Sequence, residues 1–198
     1  MPRDAQAAVP QLIVQLREGD SAALNSLFAT LYEELRLLAH RQRVRWRGNY
    51  TLDTAALLHE AYLKLAKQQQ VRIESRAHFL ALASKAMRHI FFSYAQERRA
   101  QKRGGRAEPV SLGSVELPAD NGVGPGDKAA DDLIAALEIA MRSLELANAR
   151  TCAVVECRFY GGMTVHETAE ALGVSPRTVK RDWAFAQAWL NRELQRVI

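Results

Sequence analysis

Met163-Thr-Val-His-Glu-Thr-Ala-Glu-Ala-Leu-Gly-Val-Ser-Pro-Arg-Thr-Val-Lys-Arg-Asp-Trp183 is the stretch whose reading decides the fold. Val165, Ala169 and Leu172 recur at the spacing of one helical face, so a short helix is predicted over Thr164–Leu172. Gly173 follows as the residue that can take the left-handed conformation ending a helix. Ser175 then stands where an N-cap belongs, and Pro176 fits the first helical position, where its missing N–H removes nothing. The second helix carries Arg177, Thr178, Lys180 and Arg181 near its N-terminal end, with Val179, Trp183 and Ala186 on the opposite stripe. Any helical hairpin with a glycine turn shares part of this pattern. Cap, proline, glycine and basic N-terminus together point to a helix-turn-helix whose second helix enters the major groove of DNA.

Working outward, the 198 residues allow one medium domain or two small ones, and 48% apolar content is enough to bury real cores. No apolar run approaches the length of a membrane span, and Met1–Pro10 lacks the pattern of a signal peptide. The expectation is a cytoplasmic protein without membrane insertion. Cys152 and Cys157 lie five apart inside a predicted helix, on different sides of it, and are expected as buried free thiols rather than a disulfide or a zinc site.

The net charge of +5 is unevenly spread. Residues 1–103 carry a net +8 and residues 129–198 a net −1. The excess lies in Arg41-Gln-Arg-Val-Arg-Trp-Arg47 and Arg98-Arg-Ala-Gln-Lys-Arg103, runs of the kind that neutralise phosphates and release counterions. Either run alone is more often a solvated basic face than a nucleic-acid site. Beside a helix-turn-helix, both favour DNA.

The pattern is all-α, with two small helical domains joined by a flexible linker. Residues 1–103 read as helices over Pro10–Arg17, Ser21–Arg47 (capped by Asp20), Thr54–Gln68 (capped by Asp53) and Arg76–Gln101 (capped by Ser75). Residues 104–128 hold Gly104-Gly105, Pro109, Pro118, Asn121-Gly122 and Gly124-Pro125-Gly126, and carry a net −2. They read as a tether, too acidic for a DNA-tracking arm. Residues 129–198 read as helices near Asp131–Leu146 and Ala149–Tyr160 followed by the helix-turn-helix.

This arrangement closely resembles an extracytoplasmic-function (ECF) sigma factor, a small promoter-recognition subunit of bacterial RNA polymerase. Asp53-Thr-Ala-Ala-Leu-Leu-His-Glu-Ala-Tyr-Leu-Lys-Leu65 is similar to the family's core-binding helix, with Glu60, Tyr62 and Leu63 matching and His59 standing for the usual Gln. Phe79-Leu-Ala-Leu-Ala-Ser-Lys-Ala-Met-Arg-His-Ile-Phe-Phe-Ser-Tyr94, followed by Arg98-Arg99, is similar to the promoter-melting helix, with His89 and Ser93 where Asn is common. The resemblance implies that residues 1–103 bind core polymerase and recognise and open the −10 element. It implies that residues 129–198 read the −35 element. Core-polymerase contacts are then expected from Asp53, Leu57, Leu58, His59, Glu60, Tyr62, Leu63 and Lys64. The mix of apolar and charged groups around that helix suits a partner surface and suits a central buried helix equally.

DNA contacts are expected from Ser175, Arg177, Thr178, Lys180 and Arg181 in the second domain. In the first they are expected from Lys85, Arg88, His89, Arg98, Arg99, Lys102 and Arg103, because held-open strands need cations on the backbone and planar groups under the bases. Phe79 and Tyr94 are expected as core. Phe91 and Phe92, being adjacent, cannot both face one core centre, so one of them is expected exposed or at the domain edge. The implied partners are core RNA polymerase and promoter DNA, with an anti-sigma protein or a regulatory kinase as controllers.

No enzyme is expected. His59-Glu60 and His166-Glu167 open like a zinc-protease motif, but Leu63 and Glu170 stand where its second His is required. No phosphate-binding glycine loop or nucleophile elbow is present, and neither a metal nor a cofactor is expected. A stand-alone helix-turn-helix regulator is the competing reading. It would need an α/β receiver or ligand-binding domain, and the N-terminal half lacks the alternating strands for one.

Overall fold

The computed structural model describes residues 3–45, 53–67, 72–102 and 127–197, and all regular structure among them is helical. The expected linker lies outside the described residues, apart from its last two positions. Those two, Asp127 and Lys128, open a helix.

The N-terminal part comprises α1 (Arg3–Arg17), α2 (Ala22–Thr30), α3 (Tyr32–Arg45), α4 (Thr54–Lys67) and α5 (Arg76–Lys102). α1 begins earlier than the proline suggested: Val9 and Ile13, four apart, both pack into the first core, so its buried face starts before Pro10. The single long helix expected over Ser21–Arg47 is instead two. Leu31 leaves helical geometry at φ −100°, ψ 12°. Ser26 and Thr30 hydroxyls donate back to the carbonyls of Ala22 and Ser26, at 3.4 and 2.7 Å, a pattern that bends helices. The apolar spacing hides this bend, because Leu27, Leu31 and Leu35 keep one period through it and are all fully buried.

The expected caps form. Asp20, Asp53 and Ser75 accept from the amides of Ala22, Ala56 and His78 at 2.8, 2.7 and 3.1 Å. Phe79 is fully buried with its ring edge-on to Phe28, and Tyr94 packs against the same core half-buried.

The C-terminal part comprises α6 (Asp127–Ala147), α7 (Ala149–Val155), α8 (Val165–Leu172) and α9 (Pro176–Val197). The Asn148 side chain caps α7 by accepting from the Thr151 amide at 3.0 Å. α7 widens into a π-helical turn over Glu156–Tyr160 before Gly161. Only glycine fits there, since a Cβ on Gly161 would lie 2.5 Å from the Cys157 carbonyl oxygen.

α5 is the element both parts share. It packs on α3 and α4 on one side and on α6, the π-helical turn and α8 on the other. Phe91 belongs to the N-terminal core and Phe92 to the C-terminal one, at 2% and 7% exposure. As expected, the two rings do not share one core centre; neither is exposed, because Phe92 meets the second core where the two parts join. Cys157, Met163 and Ala171 from the C-terminal part are likewise packed into the N-terminal core. Both cysteines are free and buried, and burial raises both thiols to about 12. Among the described residues, no helix is long and apolar enough to cross a membrane.

Candidate nucleic-acid interface

The C-terminal half of the interface is built on local capping. Thr164 and Glu167 form a reciprocal capping box on α8: the Thr164 hydroxyl accepts from the Glu167 amide at 3.2 Å, and the Glu167 carboxylate accepts from the Thr164 amide at 2.8 Å. These bonds hold the Glu167 carboxyl below its ordinary range. Thr-x-x-Glu was a readable signal for this cap. α8 ends at Gly173 in the left-handed conformation, φ 61°.

After Val174, Ser175 caps α9 by accepting from the Thr178 amide at 3.2 Å, and its hydroxyl also pairs with that of Thr178 at 2.9 Å. Val154, Ala169 and Val179 form a small core between α7, α8 and α9, with Val165, Leu172, Val174 and Trp183 around it. With its apolar stripe fixed there, the first turns of α9 present Ser175, Arg177, Lys180 and Arg181 to solvent, and leave Thr178 partly covered.

One residue that braces this end was missed in the sequence. Asp182 is 4% exposed, and its carboxylate accepts from Arg150 Nε at 2.6 Å and Nη2 at 3.4 Å, tying α9 to α7. Arg181 reaches the same carboxylate at 3.4 Å. The Arg150 hydrogen bond is the main reason the Asp182 carboxyl lies below its ordinary range. Its sequence signal is only a charge among apolar stripe residues, which nothing distinguishes from a solvated one.

The N-terminal half is different. Lys85, Arg88 and His89 do cluster on α5, but they face the C-terminal part. Arg88 is 2% exposed, with its guanidinium bonded to the buried Glu138 of α6 and, at 2.9 Å, to Glu156 of the π-helical turn. Lys85 donates to Glu145 at 2.9 Å and lies 3.8 Å from Glu156. His89 Nδ1 is 3.8 Å from Glu138, and Arg88 lies over the Tyr160 ring at 5.7 Å.

Burial, reinforced by the positive charges of Arg88, Lys64 and Lys85, lowers His89 to about 4, so its ring is neutral. Burial pushes the Glu138 and Glu156 carboxyls up against the pull of Arg88. Neighbouring polar groups complete the contact. Ser84 donates to the Glu156 carbonyl at 3.2 Å, and Gln42 of α3 donates to the Tyr160 carbonyl at 3.1 Å. Arg98, Arg99 and Lys102 lie on the last turns of α5, and Arg103 lies outside the described residues.

On α4, the residues expected to meet polymerase divide by burial. Leu57 and Leu58 are core, at 0% and 4% exposure, which leaves no surface of theirs for a partner. Asp53, His59 and Leu63 are exposed, while Glu60, Tyr62 and Lys64 are half-buried, the Tyr62 hydroxyl donating to Asn25. His166 and Glu170 stand exposed on α8, and among the described residues no group of three or more His, Cys, Asp or Glu could hold a metal ion.

The arrangement thus has one exposed cationic helix end and one covered cationic helix face on an all-helical frame. Comparison with known proteins agrees with that frame. No curated protein and no solved structure matches the chain. The family described as ECF sigma factor matches it over residues 6–196, nearly its whole length. The chain belongs to the ECF sigma factor family, and its role is that of a sigma factor in transcription initiation.

Proposed function

We propose that this sigma factor binds core RNA polymerase through α4, reads the upstream promoter element through the N-terminal end of α9, and helps open the downstream element with α5. The observation that carries the reading is the exposed, capped start of α9, where Arg177 and Lys180 stand in solvent. The positive end of such a helix suits a phosphate, and extended Arg and Lys side chains suit base edges in the major groove. Ser175 and Thr178 take the phosphate-contacting role, while Arg177, Lys180 and Arg181 read bases. On α4, Leu63 with Asp53 and His59 offers the polymerase-facing surface. Leu57 and Leu58 act by holding that helix in its core. Arg98, Arg99, Lys102 and Arg103 grip the backbone beyond the opened segment.

Two measurements test this. Tagged protein is mixed with bacterial core RNA polymerase and recovered, comparing wild type with Leu63→Glu, an exposed position whose change leaves the core intact. Run-off transcription is then measured on genomic promoter fragments. The expected result is stoichiometric polymerase with wild type, loss of it with Leu63→Glu, and transcripts that require the protein. DNA retardation by a protein that neither retains polymerase nor supports transcription would replace this reading with a stand-alone regulator.

A further inference from the structure

The groups assigned above to strand opening are the groups this structure covers. Lys85, Arg88 and His89 are met by Glu138, Glu145 and Glu156, three carboxylates drawn from α6 and the π-helical turn. All three carry the sign of a backbone phosphate, and Glu138 and Glu156 converge on Arg88 while Glu145 takes Lys85. The complementarity is local, since the bulk charges are unequal: net +8 in residues 1–103 against −1 in residues 129–198.

The contact is extensive but incompletely satisfied. Glu138 Oε1, Arg88 Nε and Gln42 Oε1 are buried without a hydrogen-bond partner among the described residues. A partly satisfied buried polar network contributes less than its charges suggest, so a competing anion can displace it. At the start of α9, Arg181 meets Asp182, and among the described residues no carboxylate pairs with Arg177 or Lys180.

Resting on the promoter-opening role proposed above, we infer that the acidic face of the C-terminal domain is an autoinhibitory latch: Glu138, Glu145 and Glu156 occupy the phosphate-binding cations of α5 until nucleic acid displaces them. The reading end of α9 stays free in the latched protein, so upstream recognition precedes release of the opening face. Displacement separates α5 from α6 and the π-helical turn. It also withdraws Cys157 from the N-terminal core in which it is packed.

Cys157 therefore reports the state of the latch. Its buried thiol resists alkylation at pH 8 while latched, and reacts once solvent and an ordinary thiol pKa return. Cys152, whose thiol donates to the Met141 carbonyl inside the C-terminal domain, reacts after it. The experiment alkylates the full-length protein with iodoacetamide and reads each cysteine by peptide mass spectrometry, with helical content followed by circular dichroism. In parallel, affinity is measured for a forked DNA duplex carrying a single-stranded segment. The variants are Glu138→Gln/Glu156→Gln and Glu145→Gln. The second is the fold-safe arm, because Glu145 and Lys85 are both partly exposed and its loss strands no buried charge.

If latched wild type is about one-tenth open, full release raises apparent affinity about tenfold, and Cys157 alkylation accelerates by a similar factor. Glu145→Gln should move both readouts in the same direction by a smaller factor, and adding the forked DNA to wild type should speed Cys157 alkylation. A folded Glu145→Gln with both readouts unchanged, together with no effect of DNA on wild-type Cys157, overturns the latch. So does exposure of Cys157 without gain in DNA affinity, which would make the contact structural only. The promoter reading is judged separately: absence of polymerase-dependent transcription with wild type and with Glu145→Gln removes it, whatever Cys157 does.

Discussion

α9 and α5 both carry cations at positions expected to meet DNA, yet the two helices leave them in opposite states. Arg177 and Lys180 stand in water with no carboxylate partner among the described residues, while Arg88 is enclosed by Glu138 and Glu156. Position explains the difference. The first turn of α9 packs only its Val179 side into the small core with Val154 and Ala169, and leaves Arg177 and Lys180 exposed. The middle of α5 has a core on either side, with Phe91 on one and Phe92 on the other. A cation there is buried unless the second domain moves away. A basic helix is thus a DNA surface only where tertiary packing leaves it one.

The hardest way to break the comparison is Arg88→Ala. Removing one member of a buried ion pair leaves Glu138 and Glu156 without their main partner, and should cost about 3–5 kcal/mol in denaturant unfolding. Arg177→Ala, fully solvated, should leave the unfolding midpoint in place. Equal midpoints for the two variants would mean that Arg88 is not enclosed in solution.

DNA binding should show the reverse order. Arg177→Ala is expected to lose about 1–3 kcal/mol in binding the preferred upstream duplex, and to discriminate less among upstream sequences. Competition binding against mutated duplexes checks this. Unchanged discrimination would count against base contact by Arg177.

Gly173→Ala sharpens the same contrast from the backbone side. Nothing lies within 4 Å of an added Cβ, so the whole effect comes from a left-handed φ of 61°. It should destabilise the C-terminal domain by about 1–2 kcal/mol and weaken upstream binding, leaving the α5 ion pairs unchanged. Thermal unfolding of the full chain alongside duplex binding measures both.

The smallest effect is a titration. His89 should titrate at about 4 in the latched protein and return toward 6.5 in Glu138→Gln/Glu156→Gln, followed by imidazole proton resonances. The depressed value means that the His89 contribution favours the closed form above pH 6.5 and is lost as pH falls toward 4. The carboxyls of Glu138 and Glu156, raised by burial, act in the opposite direction over the acidic part of that range. The single-residue titration is therefore the cleaner observable than overall stability. An ordinary His89 value in wild type would place its ring in water.

Much of the molecule was legible from local chemistry. Asp20, Asp53, Ser75 and Ser175 cap helices at the positions their sequence predicts, because a cap needs only the next three residues. The bend at Leu31 was not legible, since the leucine period continues through it and the deforming Ser26 and Thr30 hydroxyls have no unique pattern. Asp182, Glu138 and Glu156 were missed for a common reason: a carboxylate buried against an arginine 32 to 68 residues away looks, in one dimension, like any solvated acid.

By itself, then, the sequence determined the elements that short-range physics specifies: helical periodicity, caps, the glycine-terminated turn before α9 and its basic first turns. It also carried the charge asymmetry between the halves. Only the tertiary structure decided what that asymmetry meets. The excess positive charge of α5 is partly neutralised inside the protein, because the second domain brings three carboxylates to it across a chain separation that no local pattern encodes.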